Sequence, residues 1–183
     1  MVVVTKCPAD ISPLEQTMIK HDLHLRPHQQ LYFSTLCYDA LRPLFSQGAE
    51  RTLESLQDYE SVMLLTAIGS PEQMLMDLSH HAKHITPLTF PDHHFFSETD
   101  IQTINQTFAS LPEPKIIVTT EKDATRLINA KGFSGDVRSS LYVLPIQMQI
   151  MRNEAENFNS YITDYIHEKI KKGVSLEKSD FKS

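Results

Sequence analysis

The sequence predicts an α/β protein of three layers on a mainly parallel, Rossmann-like sheet. Three observations carry this. Apolar, β-branched runs alternate with helical patterns along the chain. Several of those runs are apolar on both faces, as a central strand covered by helices requires. The resulting βαβαβα order implies parallel strands joined by right-handed crossovers.

The strands are read at Val2–Thr5, Leu31–Leu36, Val62–Ile68, Ile85–Phe90, Lys115–Thr119 and Leu141–Ile150. Helices are read over 71–83, 98–110, 121–131 and about 153–172. Ser70-Pro71-Glu72-Gln73 offers an N-cap, a Pro at the first helical position and a capping-box Gln. Ser97-Glu98-Thr99-Asp100 repeats that logic, with Phe96 and Ile101 placed for a hydrophobic staple. Thr120-Glu121-Lys122-Asp123 is a third cap, with acids in the positive first turn. The last helix lines up Phe158, Tyr161, Ile162, Tyr165, Ile166 and Ile170 on one face, and Gly173 can stop it. Residues 38–60, with Pro43 and Gly48, read as loop plus a short helix.

A chain of 183 residues buries roughly 70% of its unfolded surface, enough for a real core. We expect a single α/β domain over 1–173 and a flexible polar tail over 174–183. A net charge of −6 argues against nucleic acid as a partner. Cys7 and Cys37 form neither a CxxC pair nor a disulfide framework. No run approaches the roughly 18 apolar residues of a membrane span, so a soluble chain is expected.

Chemistry-bearing residues gather in three strand-to-helix turns, which in a parallel sheet emerge on one edge. The densest is Phe90-Pro91-Asp92-His93-His94-Phe95-Phe96. A carboxylate beside an imidazole can hold it in one tautomer, ready to take a proton; equally, Asp92 can cap the turn and leave both rings solvated. In Thr66-Ala67-Ile68-Gly69-Ser70-Pro71, amides near Ser70 could meet an anion, or merely cap a helix. In Thr119-Thr120-Glu121-Lys122-Asp123, capping accounts for Thr120 and Asp123. It does not account for Lys122, whose charge opposes the helix dipole; Lys122 binds an anion, pairs with an acid or is solvated. Lys6 follows the first strand, where a Lys in nucleotide-binding folds can lie along a purine. His80, His81 and His84, and likewise His21, His24 and His28, have helical spacing but lack the second cluster of a zinc site. We expect no metal in this chain.

In order, VVVTKCP at 2–8, LYFSTLCYDAL at 31–41, LLTAIGSP at 64–71, FPDHHFF at 90–96 and IIVTTEKDA at 116–124 resemble the C-terminal half of the tetraacyldisaccharide 4'-kinases, the lipid A 4'-kinase family. The resemblance implies a P-loop kinase of two α/β lobes. Such a kinase uses ATP and Mg²⁺ to phosphorylate the 4'-hydroxyl of a lipid A disaccharide precursor at the cytoplasmic face of the bacterial inner membrane. It implies that His93, with Asp92 beside it, is the histidine that activates the sugar hydroxyl, paired with an aspartate of the N-terminal lobe. Lys6, Ser70, His94, Thr120, Glu121 and Lys122 become candidates for holding substrate or nucleotide. One departure is large: no GxxxxGK[ST] occurs in these 183 residues. The abrupt strand at Val2 is expected of a chain that begins partway through a longer protein. On that reading the P-loop lobe is a missing partner in cis, and membrane contact lies mainly in an absent N-terminal segment. This fragment then binds no nucleotide or metal and does not turn over alone. The alternatives are a non-catalytic α/β module that binds a ligand or partner, and a metal-dependent hydrolase using the His groups.

Overall fold

The computed structural model of the protein describes residues 1–45 and 48–179, with side chains as far as residue 171. In chain order the elements begin with β1 (Val2–Val4), α1 (Pro13–Asp22), β2 (Leu31–Tyr38) and β3 (Arg42–Pro43). A 3-10 turn (Leu53–Asp58), β4 (Ser61–Thr66), α2 (Glu72–Ser79), β5 (Ile85–Thr89) and α3 (Glu98–Ser110) follow. The chain continues with β6 (Lys115–Thr120), α4 (Glu121–Leu127), α5 (Gly135–Ser140), β7 (Leu141–Leu144), β8 (Ile146–Ile150) and α6 (Ala155–Ser179). It divides into two compact units, Tyr38–Gln147 and a unit made of Met1–Cys37 with Met148–Ser183.

Tyr38–Gln147 holds a five-stranded sheet in the order β3-β7-β6-β4-β5. The contacts β7–β6, β6–β4 and β4–β5 are parallel, and only β3 runs antiparallel, against β7. The fold is α/β, in the three layers expected. Alternation along the strands assigns the layers. Val62 and Leu64 of β4 and Ile116 and Val118 of β6 pack with Met74 and Leu78 of α2 and Leu56 of the 3-10 turn. Met63, Leu65 and Ile117 face the other way, onto Ile101, Ile104 and Phe108 of α3, Leu127 of α4 and Val137 of α5. Every residue of β4 is buried, which explains its apolar run. The helix after β4 lies on one face and those after β5 and β6 on the other, and their strands step outward in opposite directions. The carboxyl ends of β4 and β6 therefore flank a topological switch point, the usual place for a ligand crevice in such sheets.

The other unit has a three-stranded sheet in the order β1-β2-β8, with β1 and β2 parallel and Val2 opposite Leu31. Ser12 and Glu15 form a capping box at the start of α1. Phe158 of α6 meets Tyr32 of β2 edge-on, with ring centres 5.2 Å apart.

Three local expectations are corrected. The run Leu141–Ile150 is two strands in two different sheets, divided at Pro145, which has no N–H to donate and a fixed φ. Ser70 does not cap α2: the helix starts at Glu72, Pro71 holds the N-cap position, and no side chain bonds there. The helix α6 runs through Gly173, its expected stop, to Ser179; a single glycine costs a helix only about 1 kcal/mol. Residues 180–183 of the expected tail lie outside the described residues. Of the predicted apolar face of α6, Phe158, Tyr161 and Ile162 are half-buried, while Tyr165, Ile166 and Ile170 are exposed.

Candidate active site

The three turns meet, as parallel strands require. Thr66 of β4 sits opposite Thr89 of β5, and Leu65 opposite Thr119 of β6. The Phe90 amide donates to the Thr66 carbonyl at 2.8 Å, carrying the pairing into the turn. Asp123, wholly buried, ties the first and third turns together. Its Oδ2 accepts from the Ala67 amide at 3.0 Å and from Thr120 Oγ1 at 2.8 Å. Thr120 also caps α4 by accepting from the Asp123 amide at 3.1 Å. The Thr119 hydroxyl donates to the Leu65 carbonyl at 2.8 Å.

On this platform stands the Asp92-His93 pair. His93 has a left-handed backbone, φ 61°, which few non-glycine residues adopt. Asp92 Oδ1 accepts from the His93 amide at 2.9 Å and from Lys122 Nζ at 2.8 Å. The Lys122 ammonium, with the His93 amide behind it, holds the Asp92 carboxyl below its ordinary value against a smaller opposing effect of burial. The imidazole of His93 is 74% exposed. Its Nε2 lies 3.6 Å from Asp92 Oδ2 and its Nδ1 3.3 Å from Arg126 Nη2. Arg126 Nη1 is in turn 3.4 Å from Asp123 Oδ1. Gly69 closes the first turn over this pair: a Cβ there would sit 3.5 Å from Asp92 Oδ2, in ordinary contact. An exposed imidazole between a carboxylate and a cation, at the carboxyl edge of a parallel sheet, can exchange a proton with a bound hydroxyl.

His94 points elsewhere. Its Nε2 bonds Asp100 Oδ2 at 2.8 Å, its ring stacks on Phe90 at 5.1 Å and meets Phe96 edge-on at 5.5 Å. Asp100 also accepts from the amide and hydroxyl of Ser97, at 2.7 and 2.6 Å. Those Ser97 bonds first, and His94 after them, bring its carboxyl down to about 2. Of the other candidates, Lys122 engages Asp92, and the Thr120 hydroxyl is used inside the fold. Glu121 and Ser70 are exposed at the same edge. Lys6, exposed and left-handed with φ 58°, belongs to the other unit. Of the His groups, His84 reaches Glu60 at 3.4 Å and His21 lies beside Asp22. Among the described residues, no three His, Cys, Asp or Glu gather into a metal-holding group. Reading the sequence missed Arg126, although it stands one turn beyond Lys122 and so on the same face of the predicted helix. Asp123, which its sequence neighbours mark only as part of a helix cap, also ties the first turn to the third.

Residues 1–167 match the family model described as LpxK, tetraacyldisaccharide-1-P 4'-kinase. The chain is 42% identical to the tetraacyldisaccharide 4'-kinase of Bacteroides fragilis, over 98% of this chain and 49% of that protein. The Bacteroides thetaiotaomicron enzyme of the same name is 40% identical over 98% and 50% of the two, and that of Porphyromonas gingivalis 31% over 92% and 47%. The chain thus spans about half the length of the curated relatives it matches. A crystal structure of the "apo" form of LpxK from Aquifex aeolicus in complex with ATP aligns with a TM-score of 0.43 at 18% identity, over 75% of this chain and 38% of that one.

Proposed function

The chain belongs to the tetraacyldisaccharide-1-P 4'-kinase family, and from that premise we propose that it is the C-terminal lobe of an ATP-dependent kinase acting on the 4'-hydroxyl of a lipid A disaccharide precursor. The observation that carries the reading is the exposed His93 imidazole, set between Asp92 and Arg126 at the switch-point edge of the sheet. His93 takes the proton of the sugar hydroxyl as the phosphoryl group moves. Asp92, kept ionised by Lys122, faces the imidazolium that forms. A base so placed contributes about 10²–10⁴ in rate, or roughly 3–5 kcal/mol of barrier. Ser70 and Glu121, exposed at the same sheet edge, are the candidates for contact with the sugar.

When bound, ATP supplies the phosphoryl group and Mg²⁺ offsets the charge of the phosphates. The residues present do not fit these groups by themselves. The sequence has no GxxxxGK[ST], and the described residues hold no metal-binding group. In our reading both are held by the rest of the protein, and the isolated chain does not turn over. No helix among the described residues is long and apolar enough to cross a membrane. The lobe works at the cytoplasmic face of the inner membrane, with membrane contact made outside it.

The test is His93→Ala in the full-length protein. We expect kcat to fall about 10²–10⁴-fold while KM for ATP stays within about threefold. Near-native turnover would remove His93 from the mechanism.

A further inference from the structure

We propose that Arg126 is a positioning residue that fixes the tautomer of His93, keeping the ring proton on Nε2 and the lone pair on Nδ1. A guanidinium carries only donors and stays protonated in proteins, so the ring nitrogen it bonds must offer a lone pair. Arg126 Nη2 lies 3.3 Å from Nδ1. An ionised carboxylate only accepts, so the nitrogen facing it favours a proton. Asp92 Oδ2 lies 3.6 Å from Nε2, a charge contact rather than a hydrogen bond. The two flanking groups are opposite in kind, and both select the same tautomer.

Arg126 is itself held in place. Its side chain is 17% exposed and its Nη1 faces the wholly buried Asp123, which two further donors anchor. Lys122, four residues earlier on α4, holds Asp92. One face of a single helix therefore grips both members of the pair. The charged groups around the ring are Asp92 and Arg126 directly, and Lys122 and Asp123 behind them. His94 turns away to Asp100.

The consequence for catalysis rests on His93 being the base. Nδ1 is then the nitrogen that takes the proton, and the sugar hydroxyl must occupy the place Arg126 now fills. The O–H bond breaks, the proton bonds to Nδ1, and the oxygen keeps the electron pair. The Nε2–H, present before and after the transfer, faces Asp92.

The experiment is ¹⁵N NMR of the full-length protein labelled at histidine, at a pH where the ring is neutral, with His93→Gln to assign the signals. The expected native spectrum has an unprotonated Nδ1 and a protonated Nε2. In Arg126→Met the two nitrogen shifts should move toward each other as the tautomers mix, and Arg126→Lys should restore the native pattern in part. Asp123 keeps its bonds to Ala67 and Thr120 in both variants, so the fold should survive, as circular dichroism will check. We expect kcat/KM for the disaccharide to fall about twofold in Arg126→Met, because tautomers mixed in equal parts leave about half the rings with a bare Nδ1, with KM for ATP unchanged. A native ring protonated on Nδ1, or no shift in Arg126→Met, overturns the proposal. Full activity of His93→Ala would defeat the reading of His93 as base while leaving the tautomer result standing, so the two failures are separable.

Discussion

His93 and His94 are the same side chain at adjacent positions, yet they occupy opposite environments. His94 is built into the fold: 26% exposed, bonded to Asp100 and packed between Phe90 and Phe96. His93 is turned out by its left-handed backbone and held only at its edges, by Asp92 and Arg126. Neither sequence neighbours nor composition separate the two rings; one φ angle does. If the contrast is functional, the two alanine variants should cross. His93→Ala carries the largest expected effect, 3–5 kcal/mol on the barrier as argued above, with unfolding free energy within about 0.5 kcal/mol of native. Urea unfolding beside steady-state kinetics in the full-length protein decides it, and equal losses of both quantities in both variants would break the comparison.

Each ring also has an acid behind it, and the acids differ in the same way. Asp123 stands behind Arg126 and His93, wholly buried; Asp100 stands behind His94 at a helix start near the surface. Replacing Asp123 with Ala strands the buried Ala67 amide and Thr120 hydroxyl. We expect a loss of about 3 kcal/mol of unfolding free energy, together with loss of the single His93 tautomer. A loss below 1 kcal/mol would mean that water replaces the carboxylate and that the β4–β6 tie matters little. His94→Ala ranks next, at about 1–2 kcal/mol of stability from the lost ring packing and hydrogen bond. Its kcat should fall far less than that of His93→Ala.

What could be read in the sequence was local. The strands of Tyr38–Gln147 showed as apolar runs because β4 and β6 are covered on both faces. The caps at Ser97 and Thr120 were legible because a cap needs only the next three residues. The Asp92-His93 turn stood out because a carboxylate, imidazoles and aromatics cluster at a predicted strand end. Long-range relations were not legible. Nothing in Leu141–Ile150 except Pro145 indicates that its halves serve different sheets. Arg126 meets His93 across 33 residues of chain, through a helix whose facing depends on the sheet beneath it. The helix α1 had a visible signal, the Ser12-Pro13-Leu14-Glu15 cap, but it buries little besides Gln16 and so lacks the apolar stripe that marks a helix.

Asp100 yields the smallest effect and the sharpest test of how His94 is held. Its carboxyl titrates at about 2 in the folded protein rather than at the ordinary 3.8. A carboxyl depressed by folding adds stability above its unfolded value and loses it as pH falls through its folded value. Its contribution is therefore complete above about pH 4 and gone below about pH 2. Asp100→Asn should flatten the unfolding free energy across that window, read from urea midpoints at stepped pH. Asp92, also depressed, is unchanged in that variant, so any slope it contributes remains in both curves. The two bonds from Ser97 outweigh the one from His94. His94→Ala should thus lower the whole curve yet keep most of its slope between pH 4 and 2. His93→Ala should leave that slope almost untouched. If His94→Ala flattens the curve as fully as Asp100→Asn does, the ring is the main partner of the acid and the helix cap is secondary. The turn would then be held by its imidazole rather than by its serine.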